Sequence, residues 1–241
     1  MTTTRSALIT GSTRGIGLAI AMELAKNGFV PILNYRADDE TANRALAGIV
    51  NVCEEAIAIQ ADVTTESGVQ SLFESAAKNG PIDVLINNVG QFMYKPFLET
   101  SPTEWQRILT SNLTSAVLCC QQVLPSMRER KSGSIINVAA MHADRVRARP
   151  HTLPYAIAKS GIIHLTHTLA KTEGSYGIRV NAVCPGFIAG GDHTMLRHAD
   201  RVALGRLGYA QEVAKLVRFL VSEDAGYITG AVLDIHGGAL L

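Results

Sequence analysis

A tyrosine and a lysine four residues apart are the residues of this sequence best suited to chemistry. Tyr155 and Lys159 stand in the segment Y-A-I-A-K, within a stretch that we expect to be helical. Residues four apart share one face of a helix, so the two side chains would be neighbours. A phenol titrates at about pH 10, and a nearby ammonium lowers its pKa by favouring the phenolate. The pair could therefore give a proton to a carbonyl oxygen, or take one back from an alcohol.

A glycine-rich turn near the N-terminus gives a second chemical signal. Residues 10–17 read T-G-S-T-R-G-I-G, between a predicted strand and a predicted helix. Glycines let the backbone turn sharply and approach a pyrophosphate, which the free N–H groups of the helix then stabilise. The residues predicted to contact a dinucleotide are Gly11, Ser12, Thr13, Arg14, Gly15, Ile16 and Gly17.

Strands and helices alternate along the whole chain. Strands are predicted at 5–10, 29–35, 55–60, 82–86, 134–138, 179–184 and 231–235. Helices are predicted at 16–26, 38–49, 66–78, 103–130, 153–173 and 211–221, the long fourth helix with a bend near Pro125. This alternation predicts an α/β fold with three layers, in which helices cover both faces of a doubly wound, parallel, seven-stranded Rossmann sheet. No linker interrupts the pattern, so residues 1–241 are expected to form one domain.

Four motifs in order resemble the short-chain dehydrogenase/reductase family. They are T-G-x-x-x-G-x-G at residues 10–17, N-N-V-G at 87–90, Y-x-x-x-K at 155–159, and P-G at 185–186. The resemblance covers essentially the whole chain. It is strongest to the group that includes 3-oxoacyl-carrier-protein reductases and glucose dehydrogenases.

The resemblance implies an oxidoreductase that transfers hydride to a carbonyl, with Tyr155 as the proton donor. It implies that Lys159 also holds the nicotinamide ribose, and that Asn112 orders a water for proton relay. Further cofactor contacts implied in this way are Asp62, Val63, Asn88, Gly90, Pro185, Gly186 and Ile188.

The end of the second strand predicts NADP(H) rather than NAD(H). An NAD site would carry an acidic residue there for the ribose hydroxyls, but the strand ends in Asn34-Tyr35-Arg36. The acids at 38–40 come later and are expected in the first turn of a helix. Arg14 and Arg36 are placed to flank a 2′-phosphate, unless both are solvated surface residues.

The sequence departs from the family where a serine normally bonds the substrate oxygen. No serine lies between Ser134 and Ser160. When the family pattern is aligned on the preceding strand, the position of this serine corresponds to Ala140, which cannot donate a hydrogen bond. Counted back from Tyr155, it falls near His142, whose ring could donate; Thr152 is a weaker candidate.

Two loops bear on the substrate. The loop 144–149 contains three arginines and could receive an anionic substrate or carrier, although a solvated loop is equally compatible. The stretch F-I-A-G-G at residues 187–191 lacks the family's threonine, and the segment up to Gly205 is short for a lid, which puts acyl-carrier substrates in doubt.

Two functions are compatible with these residues. The first is an NADPH-dependent reductase of a 3-oxoacyl-like or related ketone, either small or linked to an acyl carrier. The alternative is a cofactor-binding protein with little turnover, a pseudoenzyme or regulator, because Ala140 replaces the serine. The presence of Asn112, Tyr155 and Lys159 together favours the enzyme.

Other classes are disfavoured by composition. The net charge is +1, so no global field attracts nucleic acid or membrane. The apolar stretch 7–9 is too short for a signal peptide, and a cytoplasmic protein is expected. The histidines at 164, 167, 193 and 198 assemble no zinc site, so no metal is expected.

A homotetramer is expected, with a dimer as the next choice. In the family, the two long helices pair across a two-fold axis. The apolar residues on which this expectation depends are Ile108, Val117, Leu118, Ile162, Ile163 and Leu165.

Overall fold

The computed structural model describes residues 5–190 and 199–240, and its strands form one parallel sheet. The strands are β1 (Arg5–Ile9), β2 (Phe29–Tyr35), β3 (Ile57–Gln60), β4 (Val84–Asn87), β5 (Gly133–Val138), β6 (Ile178–Pro185) and β7 (Val232–Ile235). Their order is β3-β2-β1-β4-β5-β6-β7, and every neighbouring pair is parallel. The direction of winding therefore reverses between β1 and β4, and the predicted doubly wound Rossmann fold is confirmed.

Helices cover both faces of this sheet. They are α1 (Gly15–Ala25), α2 (Asp39–Val50), α3 (Glu66–Ala77), α4 (Pro102–Leu109), α5 (Ser115–Arg130), α6 (Leu153–Glu173) and α7 (Ala210–Val221). Successive side chains of a strand point to opposite faces. Ala7 and Ile9 of β1 accordingly pack into a core with α1 and α7. Leu8 packs into a second core with α3 and α5.

The predicted helix 103–130 is interrupted, but not at Pro125. A π-helical segment, Thr110–Thr114, separates α4 from α5, while Pro125 lies inside α5. The Asn112 side chain donates from Nδ2 to the Ile108 carbonyl (3.0 Å), which competes with the regular backbone pattern. Such π-turns often mark functional positions. The other predicted ends agree with the structure to within two residues.

The homotetramer was predicted from six apolar side chains, and three of them belong to the core of the single chain. Ile108, Ile162 and Ile163 are 0%, 2% and 5% exposed. They were expected on a pairing face, and that expectation is wrong because they already pack within the monomer. Val117, Leu118 and Leu165 are half-buried. In the two described stretches, no helix combines the length and apolar character needed to span a bilayer.

Candidate active site

The glycine turn between β1 and α1 needs its glycines for two reasons, backbone conformation and close packing. Gly11 and Gly15 have φ of 60° and 56°, in the left-handed region that other residues rarely adopt. A Cβ atom on Gly17 would lie 2.6 Å from the Gly11 carbonyl oxygen. A Cβ on Gly15 would meet nothing within 4 Å. The turn therefore packs tightly against its own chain at Gly17 and is open at Gly15.

Side chains from two neighbouring strands hold this turn in place. The Asn88 amide donates to the carbonyl oxygens of Thr10 (2.9 Å) and Gly11 (3.0 Å). The Ser12 hydroxyl donates to the Ile9 carbonyl (2.8 Å) and accepts from the Asn34 N–H (3.1 Å). Ser12 and Asn88 were predicted to contact the cofactor. In the structure their side chains shape the turn, and their contact with a cofactor stays a prediction.

The N-terminus of α1 is left open to an anion. Arg14 occupies its N-cap position and makes no side-chain capping bond, and the first turn has no acidic residue. In contrast, Asp38, Thr65 and Ser101 cap the next three helices through their side chains. The unpaired N–H groups and the positive end of the helix dipole suit a pyrophosphate.

Two arginines lie at the edge of the sheet next to this turn. Arg14 and Arg36 are exposed, and neither guanidinium forms a salt bridge within the described part of the chain. Asp38, the first acid after β2, accepts the Thr41 N–H at 2.9 Å. This backbone bond is the main reason that the pKa of Asp38 is lowered. Asp38 thus caps α2, and its carboxylate also feels the positive charge of Arg14.

Tyr155 and Lys159 are neighbours on α6, as predicted. The Lys159 ammonium lies 5.7 Å from the centre of the Tyr155 ring and donates to the Val138 carbonyl at the end of β5 (2.8 Å). The Phe92 ring meets the Tyr155 ring edge-on, with 5.2 Å between their centres. Lys159 is 4% exposed, while Tyr155 is partly open to solvent.

The predicted lowering of the tyrosine pKa is absent from the protein alone. Burial is the main cause that raises the pKa of Tyr155 to about 12, with a smaller effect of the nearby Cys184. Burial likewise lowers the pKa of Lys159 to about 8. Desolvation is thus the main cause of the shift in each group. Tyr155 therefore keeps its proton at neutral pH, which suits a proton donor.

Asn112 and Gly90 complete the site. The π-turn places the Asn112 side chain so that Nδ2 donates to the Gln91 carbonyl (2.8 Å). Its Oδ1 is buried and has no hydrogen-bond partner among the residues described. A Cβ on Gly90 would lie 2.3 Å from that Oδ1 and 3.2 Å from the Lys159 Nζ. A side chain at position 90 would therefore crowd both the Asn112 amide oxygen and the Lys159 ammonium.

The place of the family serine holds no donor. Ala140 follows β5 and offers only a methyl group. His142 is fully buried, with φ of 57°, and its Nε2 lies 3.0 Å from the Ala239 carbonyl. Because that carbonyl can only accept, Nε2 carries the ring proton and is already used, so this geometry does not support the proposed substitution of His142 for serine. Thr152, at the N-cap of α6, makes no side-chain capping bond and stays a candidate donor.

The other predicted contacts lie at the same edge of the sheet. Asp62 accepts from the N–H of Thr64 (3.0 Å), and the Val63 side chain is in the core at 3% exposure. A Cβ on Gly186 would lie 2.6 Å from the His236 Cβ. The side chain of Val63 is therefore structural, and Gly186 is required for packing.

The segment after β6 is described only in part. Pro185 ends β6, and Ile188 forms a parallel bridge with Gly208. His193 and His198, named above among the histidines, lie outside the described residues.

Aromatic and basic side chains surround the mouth of the site. Phe92 and Tyr94 are 57% and 69% exposed, and Tyr94 stacks on His151 at 4.8 Å. Arg147 is exposed, while burial and the neighbouring Arg147 lower the pKa of Arg149. The rim thus offers apolar rings together with positive charge.

The structure also brings together three residues that the sequence does not connect. One ring nitrogen of His142, one carboxylate oxygen of Asp234 and one ring nitrogen of His236 all lie within 4.8 Å of one another. The two-residue spacing of Asp234 and His236 indicates a shared face, since alternate residues of a strand point the same way. Nothing in the sequence predicts that His142 joins them.

A Rossmann sheet with an open glycine turn and a tyrosine–lysine pair at its carboxyl edge defines an oxidoreductase that uses a nicotinamide cofactor. Residues 11–239 match a family described as enoyl-(acyl carrier protein) reductase. The 3-oxoacyl-[acyl-carrier-protein] reductase of Synechocystis is 38% identical over 99% of this chain and 98% of that protein. Glucose 1-dehydrogenase 2 of Bacillus subtilis is 33% identical, covering 99% and 96%.

A solved structure agrees with these matches. A short chain dehydrogenase from Bacillus anthracis superposes with a TM-score of 0.91 at 32% identity, over 98% of this chain and 97% of that chain. The chain belongs to the short-chain dehydrogenase/reductase family. It is an oxidoreductase.

Proposed function

We propose that the protein is an NADPH-dependent reductase that converts a 3-oxoacyl-type ketone into the corresponding alcohol. The observation that carries this proposal is the convergence of Lys159 and the partnerless Asn112 Oδ1 around Gly90, beside a protonated Tyr155. A protein that only binds the cofactor has no need of this arrangement.

Bound NADPH would supply the hydride, which goes to the carbonyl carbon. Tyr155 then gives its proton to the carbonyl oxygen, so that the substrate gains one hydride and one proton overall. The tyrosine is left as a phenolate, which the Lys159 ammonium stabilises. Lys159 and a water held by Asn112 Oδ1 return a proton from solvent to Tyr155. Each residue thus has one task in the same proton path.

The choice of NADPH is supported by Arg14 and Arg36. Both guanidiniums are exposed, and no acidic residue follows β2 before Asp38, whose carboxylate accepts the Thr41 N–H at the start of α2. A dianionic 2′-phosphate gains charge-assisted hydrogen bonds from such a pair.

The substrate class is supported by the rim of the site. Phe92 and Tyr94 offer apolar surface for an acyl chain, and Arg147 and Arg149 offer positive charge for an anionic carrier or a carboxylate. The reductase of Synechocystis is named for an acyl-carrier substrate. We place the enzyme in the cytoplasm as a homotetramer.

The test is NADPH oxidation, followed at 340 nm, with 3-oxoacyl thioesters of coenzyme A and of acyl carrier protein, and with glucose oxidation in the reverse direction. Tyr155→Phe should abolish turnover and leave NADPH binding intact. Turnover with none of these substrates, together with tight NADPH binding, would favour the alternative of a cofactor-binding protein. Turnover that survives Tyr155→Phe would contradict the assigned proton donor.

A further inference from the structure

The cluster of His142, Asp234 and His236 has the composition of a transition-metal site. Two imidazole nitrogens and one carboxylate oxygen are a donor set that Zn²⁺ takes readily. Hard cations such as Mg²⁺ prefer oxygen donors, so the two histidines select against them. None of the three residues takes part in the proton path through Tyr155.

His142 supplies the strongest reason to expect a ligand. Its side chain is fully buried, and its Nε2 proton is donated to the Ala239 carbonyl. Its Nδ1 must then carry a lone pair, and this atom has no partner in the described part of the chain. A buried acceptor without a donor loses its bonds to water and gains none in return, which is unfavourable. A metal ion would remove that cost.

The backbone at His142 is consistent with a functional position. Its φ of 57° lies in the left-handed region, which few residues other than glycine adopt. The Met141 N–H donates to the Pro185 carbonyl (3.1 Å), so the residue that precedes His142 is held against β6. The neighbouring structure thus keeps His142 in a costly conformation that turns its ring toward His236, 4.9 Å away between ring centres.

The spacing of the other two ligands suits a tetrahedral ion. The His236 Nε2 and the Asp234 Oδ2 are 3.4 Å apart. Two ligands of a tetrahedral zinc with bonds of about 2.1 Å are separated by roughly the same distance. One ring nitrogen of each histidine and one Asp234 oxygen lie within 4.8 Å of one another, so the three side chains must draw closer to share one ion.

We propose that His142 Nδ1, Asp234 Oδ2 and His236 Nε2 bind one Zn²⁺ ion, with water as a fourth ligand. Asp234 is partly exposed, with 31% of its side chain accessible, which gives the ion an entry route and room for that water. The ion would tie the loop after β5 to the C-terminal turn after β7. It would act as a clamp between two segments far apart in sequence.

Binding requires one rearrangement. The Gly238 N–H donates to the His236 Nδ1 (3.1 Å), so His236 carries its proton on Nε2 before the metal arrives. Coordination at Nε2 displaces this proton, and the ring then needs a proton on Nδ1. The Gly238 N–H must then turn away and lose this hydrogen bond. Gly238 has φ of 76°, and glycine can adopt alternative conformations at little cost.

The experiment uses the full-length, tag-free protein after treatment with EDTA and buffer exchange. Zn²⁺ is titrated by calorimetry, and Co²⁺ is added to a second sample to record its visible absorption. We expect one Zn²⁺ per chain with a dissociation constant in the micromolar range or below, and the intense visible bands of a four-coordinate cobalt ion. Asp234→Asn and His236→Ala should each weaken binding by at least about tenfold.

The matched control is a second pair of histidines. His164 and His167 are exposed and three residues apart on α6, so His164→Ala with His167→Ala tests binding by a surface pair. This double variant should bind Zn²⁺ like the parent. Circular dichroism of each variant checks that it folds. If His236→Ala does not fold, Asp234→Asn alone carries the test, because it keeps the shape of the side chain.

Three outcomes would overturn the proposal. They are the absence of binding below 100 μM Zn²⁺ (about 5.5 kcal/mol or less), binding that is lost only in the α6 double variant, and binding that is unchanged in both Asp234→Asn and His236→Ala. None of these depends on whether the enzyme reduces a ketone.

Discussion

A single methyl group at position 90 should test the geometry of the proton path. In Gly90→Ala the new Cβ would lie 2.3 Å from the Asn112 Oδ1 and 3.2 Å from the Lys159 Nζ. Ordinary contacts of this kind begin at about 3.4 Å, so the amide must move by roughly 1 Å. Gly90 is not among the glycines of positive φ, so the effect is one of space and not of backbone strain.

The cost can be estimated from the bonds that Asn112 would lose. Its Nδ2 donates to the carbonyls of Gln91 and Ile108, and each such bond contributes about 0.5–1.5 kcal/mol. We expect Gly90→Ala to lose about 1–3 kcal/mol of stability. Loss of the relay should lower kcat by roughly 10²-fold or more, within the range typical of acid–base catalysis.

The assay measures kcat by NADPH oxidation, NADPH affinity by fluorescence, and the unfolding midpoint in urea. Gly48→Ala is the control. Gly48 lies in α2, and a Cβ on it would meet only the end of the Met22 side chain, at 3.9 Å. That change should stabilise the helix by up to about 1 kcal/mol and leave kcat unchanged. If Gly90→Ala keeps kcat within twofold of the parent, the relay through Asn112 is refuted.

Four further predictions follow from the site. The rate of ketone reduction should fall as pH rises through about 8, because Lys159 then loses the charge that stabilises the tyrosinate; a flat profile from pH 6 to 10 would exclude this role. Arg36→Asp should reverse the preference for NADPH over NADH, and equal affinities in the parent protein would refute the phosphate clamp. Ala140→Ser should raise kcat by roughly 10-fold or more by restoring a donor to the substrate oxygen, whereas an unchanged rate would mean that another group, such as Thr152, already supplies it. Light scattering should give the mass of four chains, and a monomer at micromolar concentration would contradict the assembly.

The fold and the catalytic pair are the parts of the molecule that the sequence predicts well. Periodicity and turn residues place the strands and most helix ends, because burial on two sheet faces leaves a strong pattern. Tyr155 and Lys159 meet because residues four apart on any helix must do so. These features depend on local spacing, which the sequence contains directly.

Features that depend on contacts between distant parts of the folded chain could not be predicted in this way. A bend in the helix 103–130 was expected near Pro125, yet the interruption lies at Thr110–Thr114, where the Asn112 amide bonds to the distant Gln91 carbonyl as well as to Ile108. The pKa of Tyr155 was expected to fall, but burial of the whole site raises it. His142 was considered a substitute for serine, and the fold turns it toward the C-terminal segment instead.

The bonds that hold the glycine turn have an entropic consequence. Asn34 and Asn88 reach it from the strands on either side of β1, and Ser12 locks its centre. These bonds hold the backbone of the turn in one conformation, at the place where we propose that the pyrophosphate binds. Binding then orders few additional backbone torsions, so little of the favourable interaction energy is lost to conformational entropy. A preorganised turn of this kind allows tight cofactor binding without a mobile loop to close over the phosphates.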